Sequence, residues 1–146
     1  MFCRIELAGP PRGKGRGRAV STPLGARVYT DAQTRSYEAQ LRFAAQQAMN
    51  GTPPTAEPVS VVMTVFFAVP QSWSKKRRGM ALTGQLLPIV KPDADNSLKL
   101  TDALNGICFL DDKQVVDARV LKRYAAAPSM LIDVRTLANG NAEAVA

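Results

Sequence analysis

Histidine is absent from this sequence, and its absence excludes several kinds of functional site. The 146 residues contain no His. Zinc sites with imidazole ligands and the Ser-His-Asp arrangement for nucleophilic catalysis both require one. The sequence therefore excludes both of these kinds of site.

Long apolar runs and cysteines are also scarce. The longest apolar stretch, "VSVVMTVFFAV" (Val59–Val69), has the composition of a buried strand and is too short to span a bilayer. The opening "MFCRIELAG" carries no apolar segment typical of a signal peptide. Cys3 and Cys108 have neither metal-site spacing nor a disulfide framework. We therefore expect two reduced, buried thiols in a cytoplasmic protein that has no membrane partner.

Acidic residues are few, 12 against 19 Lys and Arg, and they are unevenly placed. Residues 1–92 carry 13 basic and 4 acidic side chains, whereas residues 93–146 carry 6 basic and 8 acidic ones. Six acids fall within the 25 residues from Asp93 to Asp117. Clustered like charges repel one another unless a cation lies among them, and a basic region attracts polyanions. The charge pattern therefore predicts a metal ion held next to a polyanionic partner.

The hydrophobic periodicity predicts both strands and helices. Apolar residues at positions 3, 5 and 7 alternate with charged ones, which indicates an opening strand. "DAQTRSYEAQLRFAAQQAMNG" repeats apolar residues at helical spacing and ends in Asn50-Gly51. This segment is expected to form a helix of about four turns.

Two segments concentrate the positive charge outside the acidic region. "GPPRGKGRGRAV" (Gly9–Val20) is too rich in Gly and Pro for a regular element, and it is either a solvated loop or a loop that grips phosphate. "PQSWSKKRRGMALTG" predicts a short helix that Ser72 or Ser74 caps and that Gly79 or Gly84 ends. Its basic run is either a solvated face or a nucleic-acid contact, and the acidic cluster favours the contact. The residues assigned to DNA binding are Arg12, Lys14, Arg16, Arg18, Lys75, Lys76, Arg77 and Arg78.

The acidic segment "KPDADNSLKLTDALNG" (Lys91–Gly106) has the pattern of a short buried helix. Its apolar spacing predicts a helix from about Asn96 to Asn105. Asp95, Lys99 and Asp102 follow i, i+4, i+7 spacing, so they are expected on one side. If the chain before this helix is extended, Asp93 and Asp95 point the same way and converge. Two carboxylates beside a lysine can bind a hard cation that also coordinates a phosphate group.

A third carboxylate is expected from "FLDDKQVVDARVLKRY". Asp111-Asp112 predicts a turn, and Gln114–Tyr124 predicts a strand whose start faces the preceding helix. Simpler roles compete with metal binding, because Asp95 could serve only as a helix cap and Asp111-Asp112 only as turn residues. A calcium-binding EF-hand loop is excluded, since the required Gly and Glu are missing.

These motifs, in this order, resemble the RusA family of Holliday junction resolvases, which are found in phages and prophages. The resemblance rests on "KPDADNSLKLTDALNG" followed by "DDKQVVDARVLKRY". "GPPRGKGRGR", "YTDAQTRSYE" and "PQSWSKKRRGMALTG" are also similar to upstream segments of that family. One departure is visible, because Ser97 precedes Leu98 where the family often has Leu directly after Asp-Asn. The interval from Asp95 to Lys99 is unchanged.

The resemblance implies an α+β fold in a single domain over residues 1–146, with helices packed on a mixed sheet and a flexible tail from about 138 to 146. It implies a homodimeric, magnesium-dependent endonuclease that resolves four-way DNA junctions in recombination and repair; Mn²⁺ could substitute for Mg²⁺. Carried over by position, Asp93, Asp95 and Asp112 would bind the metal, and Lys99 would be the essential lysine. Asp102 and Asp111 would support these groups from outside the site.

Two other functions fit parts of the sequence. A non-catalytic DNA-binding protein would use its acids only for capping and solubility. A different metal nuclease would act on flaps, single strands or other branched DNA. Cleavage in the presence of Mg²⁺ separates the first alternative from the resolvase, and a comparison of substrates separates the second.

Overall fold

The order of strands and helices along the chain confirms most of the sequence predictions. The computed structural model describes residues 1–15, 18–29 and 31–138. The predicted DNA contact Arg16, the side chain of Arg18 and residues 139–146 of the expected tail lie outside the described part. The elements are β1 (Phe2–Ala8), β2 (Arg18–Thr22), β3 (Gly25–Tyr29), α1 (Ala32–Met49), β4 (Val59–Ala68), α2 (Lys75–Leu82), α3 (Ala94–Leu98), a 3₁₀ helix (Lys99–Leu104), a second 3₁₀ helix (Asp112–Gln114), β5 (Val115–Ala125) and β6 (Ser129–Thr136).

Four strands form a mixed sheet in the order β1-β6-β4-β5. β6 is antiparallel to both β1 and β4, whereas β4 and β5 are parallel. A tight hairpin cannot join parallel neighbours, so the chain needs a long crossover, and residues 69–114 form it. The α+β class with a mixed sheet is thereby confirmed.

The core lies between the sheet and the helices. Alternate residues of β4 from Val59 to Val65 are fully buried, and the intervening positions from Val62 onward are only partly buried. Helix α1 adds Leu41 and Ala45 to this cluster, and the first 3₁₀ helix adds Leu100 and Leu104. Full burial of one such leucine contributes roughly 1.5–3 kcal/mol. The packing of the first 3₁₀ helix therefore anchors the acidic segment to the sheet.

Helix α1 ends where the sequence predicts, at Asn50-Gly51. Asp31 is its N-cap and accepts a hydrogen bond from the Thr34 amide at 2.9 Å. Asn50 closes the helix in the left-handed conformation with φ 47°, and Gly51 follows with φ 81°. The helix has 18 residues, so it is about one turn longer than expected.

The helix in the acidic segment differs from its prediction. It begins at Ala94 with Asp93 as N-cap, not at Asn96, and it tightens into a 3₁₀ helix from Lys99. The Thr101 hydroxyl donates to the Leu98 carbonyl at 2.9 Å, a local bond that competes with regular α-helical pairing. The tightening changes the rotation per residue, so i, i+4, i+7 spacing no longer places three residues on one side.

A short hairpin replaces part of the irregular segment predicted from Gly9 to Val20. Strand β2 begins at Arg18 and pairs with β3 through a two-residue turn closed by Gly25, whose φ is 113°. Every residue of β3 is exposed. Without a buried face, the hairpin leaves no alternating hydrophobic pattern in the sequence, and the prediction missed it for that reason.

The two cysteines are free and buried, as predicted. Burial raises the pKa of the Cys108 thiol to about 12, so its reactive thiolate is scarce at neutral pH. No helix in the described part of the chain is both long and apolar enough to cross a membrane.

We predict that the Asp31 cap stabilises the fold in a pH-dependent way. Hydrogen bonds from Thr34, assisted by Arg12, lower the pKa of Asp31 to about 2. The stabilisation is therefore present above the usual carboxyl pKa and is lost as the pH falls through about 2. Asp31→Ala should lower the thermal unfolding midpoint by about 2–4 °C at pH 7. Calorimetry should show this difference shrinking as the pH falls from about 5 toward 2.

Asp31→Asn is the matched control for this measurement, since asparagine caps helices well without a charge. Its midpoint should lie between those of the wild type and Asp31→Ala. A difference between wild type and Asp31→Ala that stays constant over the whole pH range would contradict the assignment.

Candidate active site

The crossover from β4 to β5 brings both charged segments against the same edge strand of the sheet. Helices α2 and α3 both contact β5, which is the edge strand next to β4. The basic run lies in α2, and the acidic segment begins at α3. The two charged segments therefore share one strand as their support, although they are separated in sequence.

The start of α3 presents two carboxylates that have no hydrogen-bond or ion-pair partner among the residues that the structure describes. Asp93 occupies the N-cap position, but its side chain makes no capping hydrogen bond. Ser97 fixes this turn instead, because its amide and its hydroxyl both donate to the Asp93 carbonyl, at 3.0 and 3.1 Å. Asp95 lies in the first turn of the helix, and both aspartates are exposed. The proposal that Asp95 serves only as the cap is wrong, since Asp93 holds that position.

The route by which Asp93 and Asp95 were expected to converge also needs correction. The sequence argument assumed an extended chain between them, in which residues two apart point the same way. The helix already begins at Ala94, so that alternation does not apply. What the two carboxylates share is the first turn of α3.

The glycine-rich loop before β2 lies against the start of α3. The Lys14 amide donates to the Asn96 carbonyl at 2.8 Å. Gly13 approaches so closely that a Cβ placed on it would lie 2.8 Å from Pro92 Cβ and 2.9 Å from Asn96 Cβ. Only glycine fits at position 13 without displacement. The described half of the loop is therefore a packed part of the site.

The loop and α3 enclose a cleft of about 470 Å³, which we call the Asp93 cleft. The lining of the Asp93 cleft includes Arg12 and Asp31 together with Lys91, Asp93 and Asn96. Cationic and carboxylate groups thus face the same space. A cleft of this composition can accept a phosphate group through its cations while its carboxylates face a metal ion.

Two of the predicted DNA contacts are engaged within the protein. Arg12 donates to Asp31 at 3.0 Å and to Thr34 Oγ1 at 3.2 Å. Lys14 Nζ lies 3.4 Å from Glu38 and 3.7 Å from Asp102. These half-exposed pairs fasten the loop to α1 and to the first 3₁₀ helix. They also offset part of the positive charge that the loop would offer to DNA.

The Lys99 side chain bonds to Asn96 and forms no ion pair with the described carboxylates of its own segment. Its Nζ donates to Asn96 Oδ1 at 3.2 Å, and no ion pair joins it to Asp95 or Asp102 among the described residues. Asp102 pairs with Lys14 instead. Lys99 nevertheless stays one helical turn from Asp95, because its amide donates to the Asp95 carbonyl. The sequence analysis missed the contacts of Asn96, which binds both the loop backbone and Lys99. The position of Asn96 directly after Asp95 was the available signal.

The adjacent acids before β5 have different roles. Asp111 caps the second 3₁₀ helix, because its carboxylate accepts from the Lys113 amide at 2.9 Å. In return, the side-chain oxygen of Gln114 accepts from the Asp111 amide. This is the reciprocal capping arrangement, so Asp111 has a structural duty. The Asp112 carboxylate has no hydrogen bond or ion pair with any residue that the structure describes. Of the two, Asp112 is the one available for a ligand.

The carboxylates fit a magnesium ion in kind but do not form a complete protein cage. Asp93, Asp95 and Asp112 are oxygen donors without intramolecular partners in the described ranges. Across residues 1–15, 18–29 and 31–138, however, no three acidic or thiol side chains form a group that could hold a metal ion. Mg²⁺ usually binds one or two carboxylates and completes its shell with water and substrate phosphates. Asp93 and Asp95, which share the first turn of α3, fit a metal site of that open type.

The basic run in α2 is freely exposed, as its assignment to DNA requires. Ser74 caps the helix by accepting from the Arg77 amide, and Gly84 follows it with φ 81°. Arg77 lies over the Trp73 ring at 3.9 Å. Lys75, Lys76 and Arg78 have no ion-pair partner within the described part of the chain.

We predict that the contact at Gly13 holds the loop against α3. Gly13→Ala introduces a Cβ that must displace Pro92 or Asn96, whereas Gly15→Ala meets no atom within 4 Å. The Lys14 amide, which binds the Asn96 carbonyl, should therefore exchange with solvent about tenfold faster or more in Gly13→Ala, in line with the cost of overpacking. Amide hydrogen exchange measures this directly. Equal protection of Lys14 in the two variants would mean that the loop does not depend on the contact.

Comparison with known proteins points to one family. Residues 8–135 match the family model described as "Endodeoxyribonuclease RusA". The chain is also 33% identical over 139 residues to a Bacillus subtilis (strain 168) protein named "Uncharacterized protein YqaN", with 92% of this chain and 97% of that protein covered. The matched region contains the glycine-rich loop, α2, α3 and both groups of aspartates.

Proposed function

Because the chain belongs to the RusA family of endodeoxyribonucleases, we propose that it is a Mg²⁺-dependent endonuclease that resolves four-way DNA junctions. It would cut two strands by paired, symmetric phosphodiester hydrolysis. A four-way junction has two-fold symmetry, so two matched cuts call for two active sites, and we propose a homodimer. A DNA-processing role of this kind belongs in the cytoplasm of a bacterium or of a phage-infected host.

The single observation that carries this proposal is the Asp93 cleft. Its lining combines Asp93, whose carboxylate has no partner among the described residues, with Arg12 of the loop and with Lys91. A capping role alone would not leave the carboxylate without a capping hydrogen bond. Phosphodiester hydrolysis needs carboxylates for a metal and cations for the phosphate, and both are present here.

Asp93, Asp95 and Asp112 are the residues that would hold Mg²⁺, or Mn²⁺ in its place. When bound, the metal would supply a water of lowered pKa and charge relief on the phosphoryl and leaving oxygens. Asn96 would position Lys99, since its side-chain oxygen accepts from Nζ at 3.2 Å. The exposed Lys99 ammonium would neutralise the scissile phosphate as charge develops on it.

The remaining cations would hold the DNA backbone without reading its sequence. Lys75, Lys76 and Arg78 are exposed and unpaired within the described residues, so they are free to meet phosphates. Arg12 and Lys14 already neutralise acids of the protein and would contribute less. The proposed DNA surface therefore centres on α2, with the loop forming the wall of the Asp93 cleft.

One observation favours a second candidate, a non-catalytic DNA-binding protein. In the described ranges no three acids form a ready metal site, so the acids could act only in local electrostatics. An open Mg²⁺ site does not require three acids, because water and substrate phosphates can complete the coordination shell of the ion. The two functions differ in whether Mg²⁺ produces cleavage.

We predict that the protein cuts a labelled four-way junction in Mg²⁺ at two symmetric positions, and that Lys99→Ala slows this reaction by roughly 10²–10³-fold. That range is typical when one preorganised group that stabilises transition-state charge is removed. The measurement is single-turnover cleavage at saturating protein, with thermal unfolding followed in parallel. Lys99→Arg retains the charge in a different geometry and should restore only part of the rate.

Asp95→Asn and Asp111→Asn form a matched pair for this assay. Asp95→Asn removes a proposed metal ligand and should abolish cleavage while junction binding persists. Asp111→Asn keeps a capping oxygen and should retain most of the rate. Binding without any nicking by the wild type would support the non-catalytic function, and preferential cutting of flaps would replace the junction as substrate.

We predict that α2 neutralises more DNA phosphates than the loop does. Replacing Lys75, Lys76 and Arg78 with Gln should reduce the slope of log K against log salt by about 0.9 for each B-DNA phosphate that is no longer neutralised. Arg4→Gln is the control, because Arg4 pairs with Asp133 on β6 and lies outside the proposed surface. A slope that the triple substitution leaves unchanged would show that the basic run is only solvated.

A further inference from the structure

An aromatic pocket lies beside the Asp93 cleft and has no role in the hydrolysis described above. It has a volume of about 350 Å³ and lies where the parallel strands β4 and β5 end. Phe67 and Tyr124 contribute from those strand ends, and Trp73 contributes from the segment before α2. Prolines and short apolar side chains form most of the remaining wall. We call it the aromatic pocket.

The rings in the aromatic pocket are arranged with cations beside them. Trp73 and Tyr124 meet edge to face with centroids 5.3 Å apart. Arg77 lies 3.9 Å from the Trp73 ring centroid, and Lys122 lies 5.3 Å from that of Phe67. Trp73 and Tyr124 are only half-buried, so a ligand can reach them. Aromatic rings interleaved with basic side chains are the combination that binds single-stranded nucleic acids through stacked bases.

The aromatic pocket adjoins the Asp93 cleft. Pro11 and Lys91 line both the aromatic pocket and the Asp93 cleft. A group held among the rings would therefore belong to the same molecule as a phosphate held beside Asp93. Its walls are mainly apolar and offer few partners for a sugar or a phosphate, whereas a flat heterocycle can stack on them.

We propose that the aromatic pocket holds one unpaired nucleobase of branched DNA while the neighbouring phosphate lies in the Asp93 cleft. This inference rests on the proposed function and adds a means of substrate selection to it. A base inside a duplex must first be unstacked and unpaired, and that cost is least for a base at a branch or a bulge. The pocket would therefore favour distorted DNA over a regular helix, without reading the sequence.

The test uses a duplex with one bulged 2-aminopurine and the same duplex without the bulge, in EDTA so that no cleavage occurs. The wild type should bind the bulged duplex about tenfold more tightly, which lies within the range for one stacked base. Binding should also quench 2-aminopurine fluorescence. Trp73 is the only tryptophan of the chain, so its own emission reports the same contact.

Two variants and a control keep this test specific. Trp73→Leu retains an apolar side chain without the ring and should remove the preference for the bulge while duplex affinity stays unchanged. Ala68→Leu adds volume to the pocket wall, removes no ring and should have the same effect. Phe43→Leu removes an exposed ring of α1 that lies outside the pocket and should keep the preference. Thermal unfolding confirms that each variant is folded.

Three results would overturn the inference: no preference for the bulge in the wild type, an unchanged preference in both pocket variants, or an equal loss of affinity for the bulged and the regular duplex. The last result would assign the surface to backbone electrostatics. Failure of the proposed function is distinguishable from these results. A protein that prefers the bulged duplex but never cuts DNA with Mg²⁺ would support the role of the aromatic pocket and contradict the nuclease function. A protein that cuts DNA with Mg²⁺ but shows no preference for the bulge would support the nuclease function and contradict the role of the pocket.

Discussion

The parallel pairing of β4 with β5 is the constraint on which the rest of the molecule depends. Two parallel strands that lie side by side must be joined by a long crossover. Here the crossover spans residues 69–114, and it contains α2, α3 and the acids that precede β5. The basic helix and the acidic turn are both parts of this one connection, which also supplies Trp73 and Lys91 to the aromatic pocket. Their closeness in space is a consequence of strand order, because β5 supports both helices.

The second organising contact is the docking of the glycine-rich loop on α3. It brings a segment from the other side of α1 in the sequence to the acidic turn, through Gly13 and the Lys14 amide. Ion pairs from Arg12 and Lys14 then fasten the loop to Asp31, Glu38 and Asp102. Residues whose charge suggested only DNA binding thus also build the wall of the cleft. Local charge cannot distinguish these two roles, since a guanidinium serves a carboxylate as well as a phosphate.

Most elements with a buried face were predicted, but β6 was missed although Met130, Ile132 and Val134 alternate along it as buried residues. Helix α2 was predicted from its capping residues, although it buries only Ala81. The opening strand, α1, β4 and β5 each repeat apolar residues at their own period, so the sequence reveals them. The β2–β3 hairpin is exposed, and its pattern carries no such signal. In the acidic segment the apolar spacing indicated a helix correctly. Its start at Ala94 and its change to a 3₁₀ helix depended on hydroxyl-to-backbone bonds that periodicity does not register.

The sequence by itself determined the inventory of chemistry: no histidine, unpaired cysteines, a basic half, and aspartates grouped in an order that places the chain in the RusA family. Tertiary structure decided how those groups are used. It gave Asp111 a capping role that Asp112 does not share, and it paired Asp102 with Lys14 rather than with Lys99. It also set Trp73 against Tyr124, 51 residues away in the chain. The physical reason is that hydrogen bonds and ring contacts depend on distances between atoms, which spacing along the chain fixes only within a single regular element.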